Sequence, residues 1–182
     1  MILENACEFK EYLGFVFDAM GFNGSFEVVG NAIHLNIISD KEIPTKEQVL
    51  EKLQEITLKE KKKELESQIN AICKEKIIKD FRSSALGSVH AYDLTLENQA
   101  NLQALVIASI DSVFRCAEVS NDGVIGAKTY KTHTKAQLLK LSKEALKFKS
   151  DLILFYGREK ERLNAINSLE ELEKFVIKEY LT

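Results

Sequence analysis

The chain has 182 residues, 45% of them apolar and 29% charged, with 28 acidic side chains against 25 basic ones and a net charge of −3. That length fits one domain, or one domain with a small appendage, and buries roughly two-thirds of its unfolded surface without help from a disulfide or a metal. One proline and eight glycines exclude collagen-like or proline-rich chains, and the apolar share argues against wholesale disorder.

The longest mainly apolar run, Ala104–Ile110, is far short of the roughly 18 residues of a membrane span, so no membrane is expected. No basic region precedes the first apolar stretch, and no signal peptide is expected. Cys7, Cys73 and Cys116 are odd in number, widely spaced and free of any CxxC, which predicts reduced thiols in a cytosolic setting.

Residues 3–20 have helical character, with Leu3, Cys7, Tyr12, Phe15, Val16 and Met20 apolar, until Gly21, Asn23 and Gly24 break it. The β-rich runs 26–29 and 32–38, separated by Gly30-Asn31, predict a tight hairpin. Asp40-Lys41-Glu42 and Pro44 close this region.

Thr45 with Gln48 forms a capping box that starts a long helix reaching about residue 81, interrupted by neither Gly nor Pro. Its apolar positions Val49, Leu53, Ile56, Leu65, Ile69 and Ile72 need a cover, for which the second long helix is the simplest candidate. Residues 83–94 read as a loop pivoting on Gly87. A helix at about 95–110 follows and is expected to bury Leu102, Leu105 and Val106. Runs 113–119 and 127–133 around Asp122-Gly123 predict a second hairpin.

Thr134 with Gln137 opens the second long helix, to about residue 166. Leu138, Leu141, Ala145, Phe148, Leu152 and Phe155 line one row, and Leu139, Leu146 and Ile153 a parallel one, which predicts a wide buried face. Ser168 with Glu171 opens a last short helix through Phe175, Val176 and Tyr180.

The expected class is therefore α+β, mostly helical. Two long helices, at about 45–81 and 134–166, pack together with two small β-hairpins. The expected divisions are 1–44, a helix-plus-hairpin region; 45–82, the charged helix; and 83–182.

Charge is segregated. Residues 1–40 sum to −5, 41–80 to +1, 81–127 to −3 and 128–182 to +4. Lys128 to Lys149 holds seven lysines against Glu144 alone. Without interleaved arginine this cluster reads as a solvated helix face, and nucleic acid is not expected as a partner.

There is no GxGxxG, P-loop, HExxH or GxSxG. His34 reads as a strand surface residue. His90, Asp93, Cys116 and His133 could form a metal or acid–base cluster if folding gathered them, but their spacing matches no ligand motif. The expectation is accordingly no catalytic residue, no metal and no cofactor. His133 is expected to pack at a helix entry, and His90, Tyr92 and Asp93 to order the loop. Asn98, Gln99 and Asn101 are expected to be buried amides bonded to that loop. Neither Glu170-Glu171 nor the acids of residues 42–66 present a carboxylate isolated in an apolar setting, so no raised-pKa acid is expected among them.

One string runs Ser84-Ala85-Leu86-Gly87, His90, Tyr92-Asp93, Gln99, Asn101-Leu102, Arg115-Cys116, His133-Thr134, Gln137-Leu138. In order and spacing it resembles a domain of unknown function found in tailed-phage and prophage tail proteins. Asn98 stands where that pattern has an acid, and the turn after Arg115-Cys116 is longer. The likeness covers about residues 65–180. Ile43-Pro44-Thr45-Lys46-Glu47 is similar to the segment that opens the charged helix of small tail-fibre-associated proteins.

The resemblance implies a non-enzymatic, tail-associated protein: a tail-fibre assembly chaperone or a minor structural component of the tail. Its partner would be a tail or tail-fibre protein, with self-association also expected. Its place would be the bacterial host cytoplasm during assembly, or the virion tail. A host-directed factor that inhibits a defence enzyme and a metal-dependent enzyme are the competing readings. The resemblance brings no catalytic residue with it.

Overall fold

The computed structural model describes residues 1–38, 42–79 and 81–180. Asp40 and Lys41 of the charged closing segment, and Asp80 near the expected end of the first long helix, lie outside the described residues.

In chain order the elements are β1 (Ile2–Glu4), a 3-10 turn (Cys7–Tyr12), α1 (Leu13–Met20), β2 (Asn23–Val29), β3 (Ala32–Ile38) and α2 (Lys46–Lys79). They continue with β4 (Arg82–Ser83), β5 (His90–Ala91), α3 (Leu96–Ala108), β6 (Ser112–Glu118), β7 (Thr129–His133), α4 (Lys135–Asn164) and α5 (Leu169–Glu173). The class is α+β and mostly helical, as predicted.

The chain divides into two compact units, residues 1–66 with 162–176 and residues 67–161 with 177–182. The dividing point falls inside α2, not at its ends, so residues 1–44 are not a unit of their own.

The first unit holds a three-stranded antiparallel sheet in the order β1-β3-β2. The start of the chain is strand where helix was expected. The reason is tertiary: Leu3 sits opposite Ile33 on β3, and the Met1 α-amino group donates to the Leu35 carbonyl at 2.8 Å. The helix begins only at Leu13 and ends at Gly21, whose φ of 71° suits a residue without Cβ. The β2–β3 hairpin turns at Gly30-Asn31 as predicted, with Gly30 at φ 59°.

Sheet and α1 close over the first half of α2. Leu3, Leu13, Val16, Ile33 and Leu35 form one core with Val49, Leu53 and Ile56. These three α2 residues are covered by the N-terminal region, not by the second long helix. Period-2 and period-3.6 patterns both mark a buried face, and neither says what buries it. Within the same unit, Lys62 of α2 donates to the Asn164 and Ile166 carbonyls at the end of α4.

Both helix entries carry the predicted boxes. The Thr45 N–H donates to Gln48 Oε1 at 2.9 Å and the Gln48 N–H to Thr45 Oγ1 at 3.3 Å. Thr134 and Gln137 repeat this at 2.8 and 3.3 Å. The last helix is shorter than expected and stops at Glu173. Its Ser168 cap receives the Glu171 N–H at 3.2 Å, but Glu171 reaches back to the N–H of Asn167.

The second unit contains a four-stranded antiparallel sheet, β4-β5-β6-β7. The expected loop 83–94 therefore holds two short strands. Phe81, Ala85, Tyr92, Leu94, Leu102, Phe114, Cys116, Leu138, Leu141 and Ala145 form its core. Leu105, Val106 and Phe148 pack partly against it.

The second row of α4 is not buried: Leu139, Leu146 and Ile153 are 44%, 67% and 51% exposed. Each lies about 100° round the helix from the buried row, which is enough to leave the contact face. The predicted wide face is narrow. In this unit α4 runs antiparallel beside the end of α2, with Lys160 acting on Cys73 and Lys76 on Tyr156.

Candidate functional site

The residues singled out in the sequence converge on the second unit and meet around Tyr92. Its ring packs on Phe81, Phe114 and His133, with centroids 5.9–6.2 Å apart. Tyr92 and its polar neighbours His133 and Cys116 are all fully buried. Each reaches this point from a different element. Tyr92 follows β5, Cys116 is on the inward face of β6, and His133 ends β7, opposite Ser112.

The hydrogen bonds fix the protons. His133 Nδ1 lies 2.8 Å from the Lys131 carbonyl, an acceptor only, so Nδ1–H donates there. Nε2 is then an acceptor, and the Tyr92 hydroxyl donates to it at 3.0 Å. The Cys116 thiol lies against the same hydroxyl. Burial raises the Tyr92 pKa, and the neighbouring Cys116 raises it further. Burial also pushes the Cys116 thiol up and the His133 imidazole down. All three groups are held neutral. This is a closed polar chain inside an aromatic core, with the signature of a structural specifier.

The remaining motif residues surround that chain. His90 is buried and donates from Nδ1 to the Ser88 carbonyl at 2.9 Å, while Lys131 donates to its Nε2 at 3.2 Å. Lys131 also pairs with Glu118, whose carboxyl it holds below the ordinary range. Asp93 pairs with Lys128, and its carbonyl accepts from Asn98 Nδ2 at 3.0 Å. Gln99 donates to the Leu94 carbonyl at 2.7 Å and accepts from Lys149 at 2.9 Å. Gly87 has φ 96°, the left-handed backbone expected of a pivot, and donates its N–H to the Ser84 carbonyl at 3.0 Å. Thr134 and Gln137 are the cap of α4.

One residue departs from expectation, and Arg115 of the string faces solvent. Asn101 is exposed on α3, so it is not a buried amide. Arg115 is exposed on β6, opposite Tyr130. His90, Asp93, Cys116 and His133 do not form one ligand set, because Asp93 is turned to Lys128 and His90 to Lys131. Among the described residues no group of three or more His, Cys, Asp or Glu is placed to hold a metal ion.

The lysine cluster is largely neutralised in place. Lys128, Lys131, Lys140 and Lys147 each pair with a carboxylate, and Lys149 with Gln99. An open depression of about 330 Å³ lies between α3 and α4, lined by Leu94, Gln99, Leu102, Ala145, Leu146 and Lys149. No helix among the described residues is long and apolar enough to cross a membrane.

Sequence reasoning missed Glu159, which is buried on α4 and accepts the Lys178 N–H at 3.0 Å. The signal lay in the spacing: Glu159 follows Phe155 of the apolar row by four residues and lies between Tyr156 and Leu163 on the helix face, although its chain neighbours Arg158 and Lys160 are charged. The part of Tyr92 as the hub was also missed, since its polar partners Cys116 and His133 come from strands more than 20 residues away.

No protein-family model, curated protein or solved structure matches this chain.

Proposed function

We propose that this is a tailed-phage or prophage tail-associated protein that works by binding another protein, as a tail-fibre assembly chaperone or a minor component of the tail. The motif string that resembles tail proteins supports this reading. One observation carries it furthest: the string's central residues gather into one local structure, and their polar groups are engaged within it. Tyr92, Cys116 and His133 are sealed in a core, His90 and Asp93 are tied to lysines, and Thr134 and Gln137 are used as a cap. Residues arranged in this way build a scaffold and leave recognition to its surface.

The test is affinity capture of the tagged full chain from a host that carries its gene, with mass spectrometry of capture and of purified particles. A tail or tail-fibre protein should co-purify in stoichiometric amount. Presence of the chain in particles marks a structural component; absence from them, with capture of a fibre protein, marks a chaperone. Recovery of no tail protein in either sample overturns the proposal.

A further inference from the structure

Of the two edge strands of the first unit's sheet, β2 is the longer; among the described residues it pairs with β3 alone, and all seven of its residues are exposed. Long edge strands normally carry charge, proline or a bulge against pairing with another chain. β2 carries Glu27 alone as a charge and no proline, and it pairs with β3 residue for residue from Asn23 to Val29. Its apolar residues Phe26 and Val28 stand opposite Leu35 and Ile33, on the core side of the sheet, yet remain 41% and 44% exposed.

The direction of the free backbone groups follows from β3. Leu35 donates its N–H to the Met1 carbonyl at 2.7 Å, away from β2. The Phe26–Leu35 pair is therefore a non-hydrogen-bonded pair of the β2–β3 ladder, and the N–H and C=O of Phe26 point out from the sheet. By the same alternation those of Gly24 and Val28 point outward too.

We propose that β2 pairs antiparallel with β2 of a second copy of this chain, centred on Phe26, giving a continuous six-stranded sheet. A two-fold axis normal to the sheet keeps both core sides on one face, so the centre must fall on a residue and not between two. Centring on Phe26 joins every outward-pointing residue: Phe26 to its own copy, and Gly24 to Val28 in both directions. It sets Glu27 opposite Ser25. Centring on Glu27 instead puts two carboxylates face to face, which cross-strand pairs disfavour. Gly24 also has room for Val28 of the other copy, because it has no side chain of its own. A Cβ there would already meet the Asn36 carbonyl at 2.9 Å. The inference is independent of the tail reading. The net charge of −5 over residues 1–40 opposes the approach of two copies, so salt strengthens the pair.

The test is the mass of the full chain by light scattering across concentration and salt, with far-ultraviolet dichroism of each variant. The wild type should reach twice the monomer mass, at lower concentration when salt is raised. Phe26→Lys should return it to the monomer. Val28→Pro should do the same, because it removes an outward N–H and none that β3 uses. Ser25→Lys, set opposite Glu27, should lower the dimer Kd by roughly two- to fivefold. Phe26→Cys should cross-link two copies under mild oxidation, since Cα atoms of such a pair lie about 5.5 Å apart. That result decides the matter even if Val28→Pro misfolds. A wild type that is monomeric throughout, a dimer indifferent to Phe26→Lys, or a Phe26→Cys protein that does not cross-link overturns the proposal. So does a monomer that takes a strand from a different protein at β2.

Discussion

Tyr92 and His133 carry a buried polar chain in the core of the second unit, and its energetics are asymmetric. Tyr92→Phe keeps the ring and its three aromatic neighbours but leaves His133 Nε2 buried without a donor. The expected cost is about 1–3 kcal/mol in urea unfolding. The imidazole itself predicts a pH dependence. Burial lowers its pKa below the ordinary 6.5, opposed by the bond to the Lys131 carbonyl. Below about pH 6.5 the unfolded chain takes up a proton that the folded site resists, so the unfolded state binds more protons. This part of the stability is complete above pH 6.5 and is lost as pH falls through that range. His133→Gln retains an acceptor for Tyr92 and does not titrate. Its stability should fall less than that of the wild type between about pH 7.5 and pH 5.5, measured by denaturant titration at each pH. Equal slopes in the two proteins would remove His133 as the cause.

At the scale of elements, α4 offers an internal comparison, because two leucine rows on one helix differ only in their angle. Leu141 is fully buried beside Leu102 and Phe114, and Leu141→Ala should cost about 2–5 kcal/mol. Leu146, 67% exposed, should change stability by less than about 0.5 kcal/mol when replaced by alanine. A large cost at Leu146 in a monomeric chain would mean that the row is covered after all. Thr134→Ala removes a cap whose oxygen receives the Gln137 N–H, and a loss of about 0.5–2 kcal/mol is expected. The α2 helix, 34 residues and about 51 Å long, does not rely on one partner along its length. Val49, Leu53 and Ile56 belong to the core of the first unit, while Ile69 is buried in the second.

At the scale of the molecule, the two cores share no residue. Leu53→Ala should therefore speed amide hydrogen exchange in α1 and β3 and leave β6 and β7 unchanged, while Leu141→Ala should do the reverse. Loss of protection in both units from either variant would show that they open together. Removal of residues 1–44 exposes Val49, Leu53 and Ile56 and costs the first unit most of its core. Single substitutions on the β2 edge are the cleaner probe, because those side chains already face solvent.

Local signals carried much of this fold. The Thr45–Gln48 and Thr134–Gln137 boxes, the Gly30-Asn31 turn, the Asp122-Gly123 turn and the left-handed Gly87 are all properties of a few adjacent residues, whose backbone groups are satisfied within one turn. So the starts of both long helices, both hairpins and the pivot of the motif loop were legible in order. The gathering of His90, Tyr92, Asp93, Cys116 and His133 was legible only as a list, because their partners are set by strand register: the Tyr92–His133 contact spans 41 residues. Tertiary packing alone decided the rest. It turned Ile2–Glu4 into a strand by offering it the free edge of β3, and it covered Val49, Leu53 and Ile56 with the N-terminal region. It left Leu139, Leu146 and Ile153 in solvent and placed Phe26 and Val28 on an uncovered edge. An apolar pattern states that a face gains by leaving water; which surface it meets depends on where the chain returns in space, and that information is not local.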